Sequence, residues 1–180
     1  MSFSCVAARL EGVKVITPPT IFEDFRGDYV EIYNRELYRE AGITSDFKQD
    51  DYATSSKDVL RGLHGDDRTE KLVKCVYGEL YFVALQADKN HPQYMQWESF
   101  ELSSSNRLQI YVPAHFAIGY LVLSDVGIFH YKQSTYYHET RQFTIAWNDP
   151  RARVKWPIEN PKLSQRDAHV VETEKRHAYA

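Results

Sequence analysis

The sequence predicts an all-β protein built as a sandwich or barrel, and three observations lead to this fold class. Tyrosine and phenylalanine are abundant, with 13 and 9 residues in a chain of 180, and aromatic residues favour strands. The apolar segments are short, and turn residues divide them, as at Gly78-Glu79 and Ser124-Asp125. Strand-like segments do not alternate with helical ones, so a parallel α/β sheet is excluded.

Eight segments are predicted to be strands because they are short, rich in β-branched and aromatic residues, and bounded by turns. In chain order they are residues 13–17, 29–33, 72–77, 80–85, 97–102, 108–112, 120–123 and 128–132. One early helix is predicted at residues 35–41, where Gly42 would end it. The polar end after Asp167, which includes residues 171–176, is predicted to be a peripheral arm.

Length and composition indicate a single domain over residues 1–180, with its core in about residues 10–167. The net charge of −3 gives no general attraction to nucleic acid or to an acidic membrane. Cys5 and Cys75 fit neither a metal-ligand spacing nor a disulfide framework, and Cys75 is expected to be a reduced core residue. No signal-peptide pattern or membrane-length apolar stretch is found, so a cytoplasmic location is expected.

The segment with the most chemical information is Val-Leu-Arg-Gly-Leu-His-Gly-Asp at residues 59–66. His64 follows an arginine and a glycine, and Tyr131 lies on a later predicted strand. Imidazole accepts a proton near neutral pH, and a phenol on the opposite face can donate one. These residue types indicate proton transfer at carbon.

Further short segments surround this one, and their order and approximate spacing resemble the nucleotide-sugar 3,5-epimerases, typified by dTDP-4-dehydrorhamnose 3,5-epimerase. They lie at residues 24–27, 31, 49–51, 71–73, 76–79, 94–97, 110–113, 119–124, 131–137, 147–150, 156–157 and 163–167. The resemblance spans about residues 10–170. It implies a cupin-type β jelly roll with a few short helices, usually a homodimer, and no cofactor is expected.

The resemblance also implies four catalytic residues. His64 would be the base beside a ketone, and Asp167 would pair with it and set its tautomer. Tyr131 would be the acid on the opposite face, and Lys71, on a strand close to His64, would stabilise negative charge on the ketone oxygen, with Arg61 next to the site. Without the resemblance, a lone strand histidine, tyrosine or lysine is more often a packing or surface residue.

Five residues match the family's substrate contacts. Arg26, Gln49 and Arg61 resemble its diphosphate contacts, for which a bidentate guanidinium is suited. Glu31 would contact the nucleotide or orient Arg26, and Tyr137 would line the nucleotide pocket. In the family, the segment equivalent to Arg26 comes from the partner subunit's swapped N-terminal strand, so a homodimer is expected to be needed for activity.

Five positions depart from the pattern common among rhamnose-pathway members. Gly65-Asp66 replaces an aromatic residue and a glutamine, Ile118 replaces a second active-site histidine, Phe82 replaces an aspartate, and Asp51 replaces an asparagine. The His-Gly-Asp variant resembles the branch acting on GDP-linked 4-keto-6-deoxyheptoses. The nucleotide, the sugar, and the inversion of C3, C5 or both stay open.

Three other functions also stay open. His64, Asp66 and His115 mimic the two-histidine, one-carboxylate iron site of jelly-roll oxygenases. Such an oxygenase needs a basic residue shortly after its second histidine to hold its co-substrate, but the first candidate after His115 is Lys132. No metal is therefore expected. A sugar-nucleotide 3,4-ketoisomerase on the same fold would use a similar base, and a non-catalytic sugar-binding cupin would need no base at all.

Overall fold

A computed structural model describes residues 2–170, and this part of the chain is mainly β. Its thirteen strands are β1 (Ser4–Ala7), β2 (Lys14–Thr17), β3 (Thr20–Asp24), β4 (Gly27–Val30), β5 (Gln49–Ser56), β6 (Leu60–Gly65), β7 (Lys71–Tyr77), β8 (Glu79–Gln86), β9 (Trp97–Ser103), β10 (Gln109–Val112), β11 (Phe116–Val122), β12 (Val126–Gln133) and β13 (Phe143–Thr144). Helix α1 spans Arg35–Glu40, a 3₁₀ turn spans Glu139–Arg141, and residues 165–170 are helical. The predicted arm at residues 171–176 lies outside the described residues.

The strands form a jelly-roll sandwich of two sheets in which every strand pairing is antiparallel. The larger sheet has the order β1-β2-β10-β7-β12-β5, and the smaller has the order β13-β6-β11-β8-β9. Strands β3 and β4 form a separate two-stranded hairpin. The fold class predicted from the sequence and from the family resemblance is therefore confirmed.

The main core lies between the two sheets, because alternate side chains of each strand point inward. It is built from buried residues of β7, β8, β10, β11 and β12, among them Val73, Leu80, Phe82, Ile110, Tyr120 and Phe129. A second cluster around Leu63 and Leu85 packs on the outer side of the smaller sheet. A third cluster, around the fully buried Tyr38, holds α1 against the larger sheet.

The strongly apolar predicted strands match observed strands within a few residues, and the helix also matches. The Asn34 side chain accepts hydrogen bonds from the backbone N–H groups of Glu36 and Leu37 at 3.1 and 3.3 Å, which fixes the start of α1. Gly42, with φ of +77°, follows its end. The segment predicted at 29–33 is displaced, because β4 ends at Val30.

Five strands escaped the prediction, namely β1, β3, β5, β6 and β13. Two of them, β5 and β6, contribute to the site described below. Strand β5 is rich in Asp and Ser, and β6 contains an arginine and a glycine at its centre. These residue types are poor strand formers, so their β conformation depends on pairing with β12 and β11.

Both cysteines are free, and Cys75 is a core residue as predicted. Burial raises the pKa of the Cys75 thiol to about 11, which keeps it protonated and unreactive near neutral pH. Within residues 2–170, no helix has the length and apolar character needed to cross a membrane.

Candidate active site

A bulge in β6 decides which side chains of the Arg-Gly-Leu-His segment face the sandwich interior. Ile118 of β11 pairs with His64, and Tyr120 pairs with Arg61, so one residue of β11 lies opposite two residues of β6. In a regular strand, Arg61 and His64 would point to opposite faces because they are three residues apart. The extra residue of the bulge shifts the inward–outward alternation by one position, so both side chains line the same cavity.

Glycine is required at the centre of this bulge. Gly62 has φ of +138°, a conformation that residues with a side chain rarely adopt. A Cβ atom at this position would also lie 2.5 Å from the Cα atom of Gly119 on β11. The glycine of the motif therefore allows the close approach of the two strands that positions His64.

His64 forms a hydrogen-bonded pair with Asp167, as predicted. Nε2 of His64 lies 2.6 Å from Oδ1 of Asp167, and the backbone N–H of Gly62 donates to Oδ2 at 3.4 Å. Asp167 is only 2% exposed. Burial works to raise its pKa, but the hydrogen bonds and charge of His64 and the backbone N–H of Gly62 outweigh burial and lower it.

The protonation state of this pair follows from the low pKa of Asp167. An ionised carboxylate can only accept a hydrogen bond, so the Nε2 atom of His64 must carry the proton. The lone pair of Nδ1 is then the one that remains for proton abstraction. Asp167 thus orients the imidazole so that Nδ1 faces away from the carboxylate, and it would stabilise the imidazolium formed by proton abstraction.

A cavity of about 240 Å³ lies beside this pair. It is lined by five of the predicted site residues, namely Arg61, His64, Lys71, Tyr131 and Tyr137. It is also lined by residues that the sequence analysis did not assign to substrate contact, namely Ala53, Gly119, Tyr120, Phe129, Gln142 and Arg166, and by the departure Ile118. Because strands of both sheets contribute to it, it lies between the two layers.

Arg166 is the most informative of the missed residues. It precedes Asp167 directly, so its position within the Leu-Ser-Gln-Arg-Asp segment could have identified it. Its guanidinium donates to Oγ1 of Thr144 at 2.9 Å and to Oε1 of Gln142 at 3.3 Å. With Arg61, it places a second guanidinium on the cavity wall, a residue type suited to binding phosphate groups.

Lys71 opens strand β7 and is 8% exposed. Burial lowers its pKa, and the negative charge of Asp66 partly opposes this effect. Its ammonium group has no hydrogen bond or ion pair within residues 2–170. Burying a cation without a direct partner destabilises the folded state. A negative charge that develops on a molecule in the cavity would offset this cost.

Tyr131 lies directly opposite Asp51 in the pairing of β12 with β5. Burial, followed by the charge and hydrogen bonding of Asp51, raises the pKa of the phenol to about 12, so Tyr131 keeps its proton at neutral pH. Nε2 of Gln49 donates to Asp51 at 2.8 Å, and Oε1 of Gln49 accepts from the backbone N–H of Tyr137 at 2.9 Å. Gln49 therefore supports the wall behind Tyr131 and does not itself line the cavity.

Two predicted substrate contacts lie away from the cavity of their own chain. Arg26, at the turn of the β3–β4 hairpin, is 68% exposed and forms an ion pair with Asp24 at 2.8 Å. Glu31 follows the hairpin, and its backbone N–H donates to the carbonyl of Pro19 at 3.2 Å. Neither residue lines the cavity, so a single chain does not bring them to the other site residues.

The departures from the common pattern make one part of the cavity wall apolar. Phe82 is fully buried and its ring stacks on Phe129 at 6.0 Å, and Ile118 packs against the same core. At Gly65, a Cβ atom would lie 2.1 Å from the carbonyl oxygen of Phe116 and 2.7 Å from the ring of Phe143. Phe143 thus occupies the space that a side chain at position 65 would need.

The residues of the alternative iron site do not form a set of ligands. His115 is exposed on the turn before β11, and its backbone N–H donates to the carbonyl of Asp66 at 3.0 Å. The Asp66 carboxylate accepts hydrogen bonds from the backbone N–H groups of Arg68 and Thr69. Across residues 2–170, no three His, Cys, Asp or Glu side chains form a group that could hold a metal ion.

Known proteins resemble this chain over most of its length. The family model described as dTDP-4-dehydrorhamnose 3,5-epimerase matches residues 7–175. The chain belongs to this family. A dTDP-4-dehydrorhamnose 3,5-epimerase of Shigella flexneri is 38% identical over 157 residues, which cover 85% of this chain and 87% of the relative. The family consists of isomerases that act on sugar nucleotides.

Solved structures of related epimerases share the fold closely. The dTDP-6-deoxy-D-glucose-3,5-epimerase of Legionella pneumophila, in complex with dTDP-4-keto-L-rhamnose, has a TM-score of 0.89 at 35% identity and covers 93% of this chain and 91% of its own. A 3′-monoepimerase from Streptomyces bikiniensis, in complex with dTDP-quinovose, has a TM-score of 0.84 at 26% identity, covering 95% and 89%. This fold therefore occurs both in an enzyme named for two centres and in one named for a single centre.

Proposed function

We propose that this protein inverts C3, C5 or both in a nucleoside-diphospho-4-keto-6-deoxy sugar, by proton transfer through an enolate. The observation that carries the proposal is that His64, Lys71 and Tyr131 line a single cavity, with Asp167 hydrogen-bonded to His64. The relatives bound to dTDP sugars support a nucleotide sugar as the substrate. A hexose and a heptose are both compatible with this chemistry, and so are the nucleotides dTDP, GDP and CDP.

His64 begins the reaction by removing the proton from the carbon next to the ketone. Nδ1 accepts this proton, and the ionised Asp167 stabilises the resulting imidazolium through the hydrogen bond to Nε2. The electron pair of the broken C–H bond moves to the ketone oxygen, giving an enolate. Lys71 is the cation on the cavity wall best suited to stabilise this oxygen, because burial strengthens its interaction with a negative charge.

Tyr131 completes the inversion by donating its phenolic proton to the opposite face of the same carbon. Its high pKa does not prevent this transfer, since a carbanion-like enolate is a far stronger base than a phenolate. The same high pKa ensures that the phenol is protonated when the enolate forms. Asp51, next to Tyr131, therefore helps to keep the acid loaded before each turnover.

The diphosphate requires cations at the mouth of the cavity. Arg61 and Arg166 supply two guanidinium groups from the same chain. Arg26, which lies outside the cavity of its own chain, would come from the partner subunit of a homodimer through a swapped N-terminal segment, and Glu31 would accompany it. The exposed apolar residues of the β3–β4 hairpin support this docking, since Phe25 is 98% and Tyr29 is 68% exposed.

Incubation of the purified protein with a panel of 4-keto-6-deoxy sugar nucleotides in D2O tests the reaction. We expect deuterium at C3, C5 or both, with inversion of configuration, detected by NMR and mass spectrometry. A product with its ketone moved to C3 would identify a 3,4-ketoisomerase instead. Binding without any exchange across the panel would point to a non-catalytic sugar-binding protein.

Mixing two inactive variants tests the dimeric site. Arg26→Ala and His64→Asn chains are refolded together, so that mixed dimers form. If Arg26 acts in the partner's site, each mixed dimer has one intact site, and about one quarter of the wild-type activity should return. If Arg26 acts in its own chain, no site in the mixture has both residues, and the activity stays absent.

A further inference from the structure

Tyr120 lines the cavity but has no role in the proton transfer described above. It lies on β11 opposite Arg61, in the register set by the bulge. Its ring stacks on Phe129 with 4.3 Å between centroids and an interplanar angle of 27°, and the residue is 4% exposed. The ring is therefore held firmly by the core, and its position in the cavity wall is well defined.

The hydroxyl group of Tyr120 is buried without a hydrogen-bond partner among the described residues. The Ser55 hydroxyl lies close enough to lower the pKa of Tyr120 against the larger, opposite effect of burial. It accepts a hydrogen bond from Nε of Arg61 at 3.0 Å, and its contact with the Tyr120 hydroxyl does not have the geometry of a hydrogen bond. Buried polar groups are nearly always paired, because an unpaired one destabilises the folded state. A phenylalanine would fill the same space without this cost, so the hydroxyl is best explained by a partner that arrives with the substrate.

The neighbours of this hydroxyl indicate which part of the substrate it meets. Tyr120 lies opposite Arg61 in the pairing of β11 with β6, and both residues line the same cavity as Tyr131. In the proposed function, Arg61 binds the diphosphate, which is attached to C1 of the sugar, and Tyr131 faces a reacting carbon next to the ketone. The C2 hydroxyl adjoins the anomeric carbon, so it is the sugar hydroxyl expected between these two groups.

We propose that Tyr120 hydrogen-bonds the C2 hydroxyl of the sugar, so that the enzyme selects 2-hydroxy over 2-deoxy substrates. This inference rests on the proposed epimerase function and adds a specificity residue to it. A site that leaves a polar group unpaired when the substrate lacks its hydroxyl discriminates against that substrate. Ile118 and Phe129, which also line this part of the cavity, carry no polar group that could replace the lost contact.

The test compares Tyr120→Phe with the wild type on a matched pair of substrates, a 4-keto-6-deoxy sugar nucleotide and its 2-deoxy analogue. For the 2-hydroxy substrate, kcat/KM should fall about tenfold, the value expected for one neutral hydrogen bond. For the 2-deoxy analogue, kcat/KM should stay within about twofold, since that substrate never made the contact. The melting temperature should be unchanged or higher by about 2–4 °C, because an unpaired hydroxyl is removed from the core.

Tyr81→Phe serves as the matched control. It removes a hydroxyl that donates to the carbonyl of Lys155 at 2.9 Å, on the neighbouring strand β8 and away from the cavity. It should leave the ratio of the two kcat/KM values unchanged.

Two results would overturn the inference while the epimerase assignment stands. One is equal loss of kcat/KM on both substrates with a lowered melting temperature, which would make Tyr120 a structural residue. The other is unchanged kcat/KM on both substrates. If the wild-type protein exchanges no proton of any sugar nucleotide, the proposed function itself fails, and this outcome differs from the other two.

Discussion

The two walls of the cavity are built on different principles. On the β6 wall, His64 is oriented by a buried carboxylate that also accepts a backbone hydrogen bond from Gly62. The second wall spans both sheets, and there Tyr120 of β11 and Tyr131 of β12 are held mainly by aromatic packing around Phe129. The base is thus positioned by hydrogen bonds before substrate arrives, whereas the hydroxyl of Tyr120 has no protein partner within residues 2–170.

This difference matches what each step of the proposed reaction needs. A general base needs a fixed tautomer and a nearby negative charge to stabilise its protonated form, and a carboxylate provides both. A general acid needs a phenol that stays protonated, and burial beside Asp51 provides this by raising the pKa of Tyr131 to about 12. If the two walls differ in this way, replacing a residue of one wall should change proton exchange, inversion and stability differently from replacing a residue of the other.

Replacement of the base should have the largest effect, because no other group on its wall can abstract the proton. His64→Asn should reduce both deuterium exchange and inversion by about 10²–10⁴-fold, the loss typical of removing a general base. Exchange is measured by NMR in D2O, with circular dichroism as a check on folding. His115→Asn, on an exposed turn, is the control and should keep full activity. Near-normal deuterium uptake by His64→Asn would place the base elsewhere.

Replacement of the cation Lys71 should lower the activity but raise the melting temperature. Lys71→Met should lower kcat by about 10²–10³-fold, as expected for the loss of one stabilising group at the enolate oxygen. The variant should also melt at a higher temperature, because a buried amine without an ion pair becomes an apolar side chain. A lower melting temperature would show that Lys71 has a structural partner, and unchanged kcat would exclude it from the oxyanion site.

The pH profile provides a second check on Lys71. Burial lowers the pKa of Lys71 from its ordinary value of 10.5, while the pKa of Tyr131 is raised to about 12. As the pH rises, Lys71 should therefore lose its proton before Tyr131 does, and it should set the alkaline limb of kcat. Lys71→Arg, if active, should move this limb to higher pH, since guanidinium stays charged. An unmoved limb would assign it to another group.

Removal of the acid should affect only one of the two proton transfers. Tyr131→Phe leaves the His64–Asp167 pair intact, so the variant should still exchange the substrate proton for deuterium. Inverted product should fall about 10²-fold, because the enolate can then regain a proton only from its original face. Product formation at the wild-type rate would mean that another group or water is the acid. Loss of both exchange and inversion would instead indicate that Tyr131 binds the substrate.

Metal removal should have no effect, since neither wall depends on a metal ion in the proposed mechanism. Activity should persist in full after exhaustive chelation, measured by the same exchange assay. Activity that is lost to the chelator and restored by ferrous iron would contradict the epimerase mechanism and favour an oxygenase.

The order of short motifs was sufficient to predict the family, the jelly roll and the residues of the base wall. Of the four residues predicted to be catalytic, three line the cavity, and Asp167 is hydrogen-bonded to His64; their catalytic roles stay predictions. The strands rich in apolar residues were also predictable, because their β propensity and their turns are local properties of the chain. Strands β5 and β6 were not, since pairing rather than composition makes them strands.

The residue types needed for the chemistry can be read from the sequence, but which of them lie in the same cavity depends on how the strands pair. Regular alternation along β6 would point the side chains of Arg61 and His64 to opposite faces of the sheet. The bulge opposite Gly119 brings both to the same face. The unpaired hydroxyl of Tyr120 and the position of Arg26 outside its own cavity are likewise invisible in the sequence. The physical reason is that side-chain periodicity is a property of one strand, whereas register, bulges and hydrogen-bond partners depend on the strands that lie beside it.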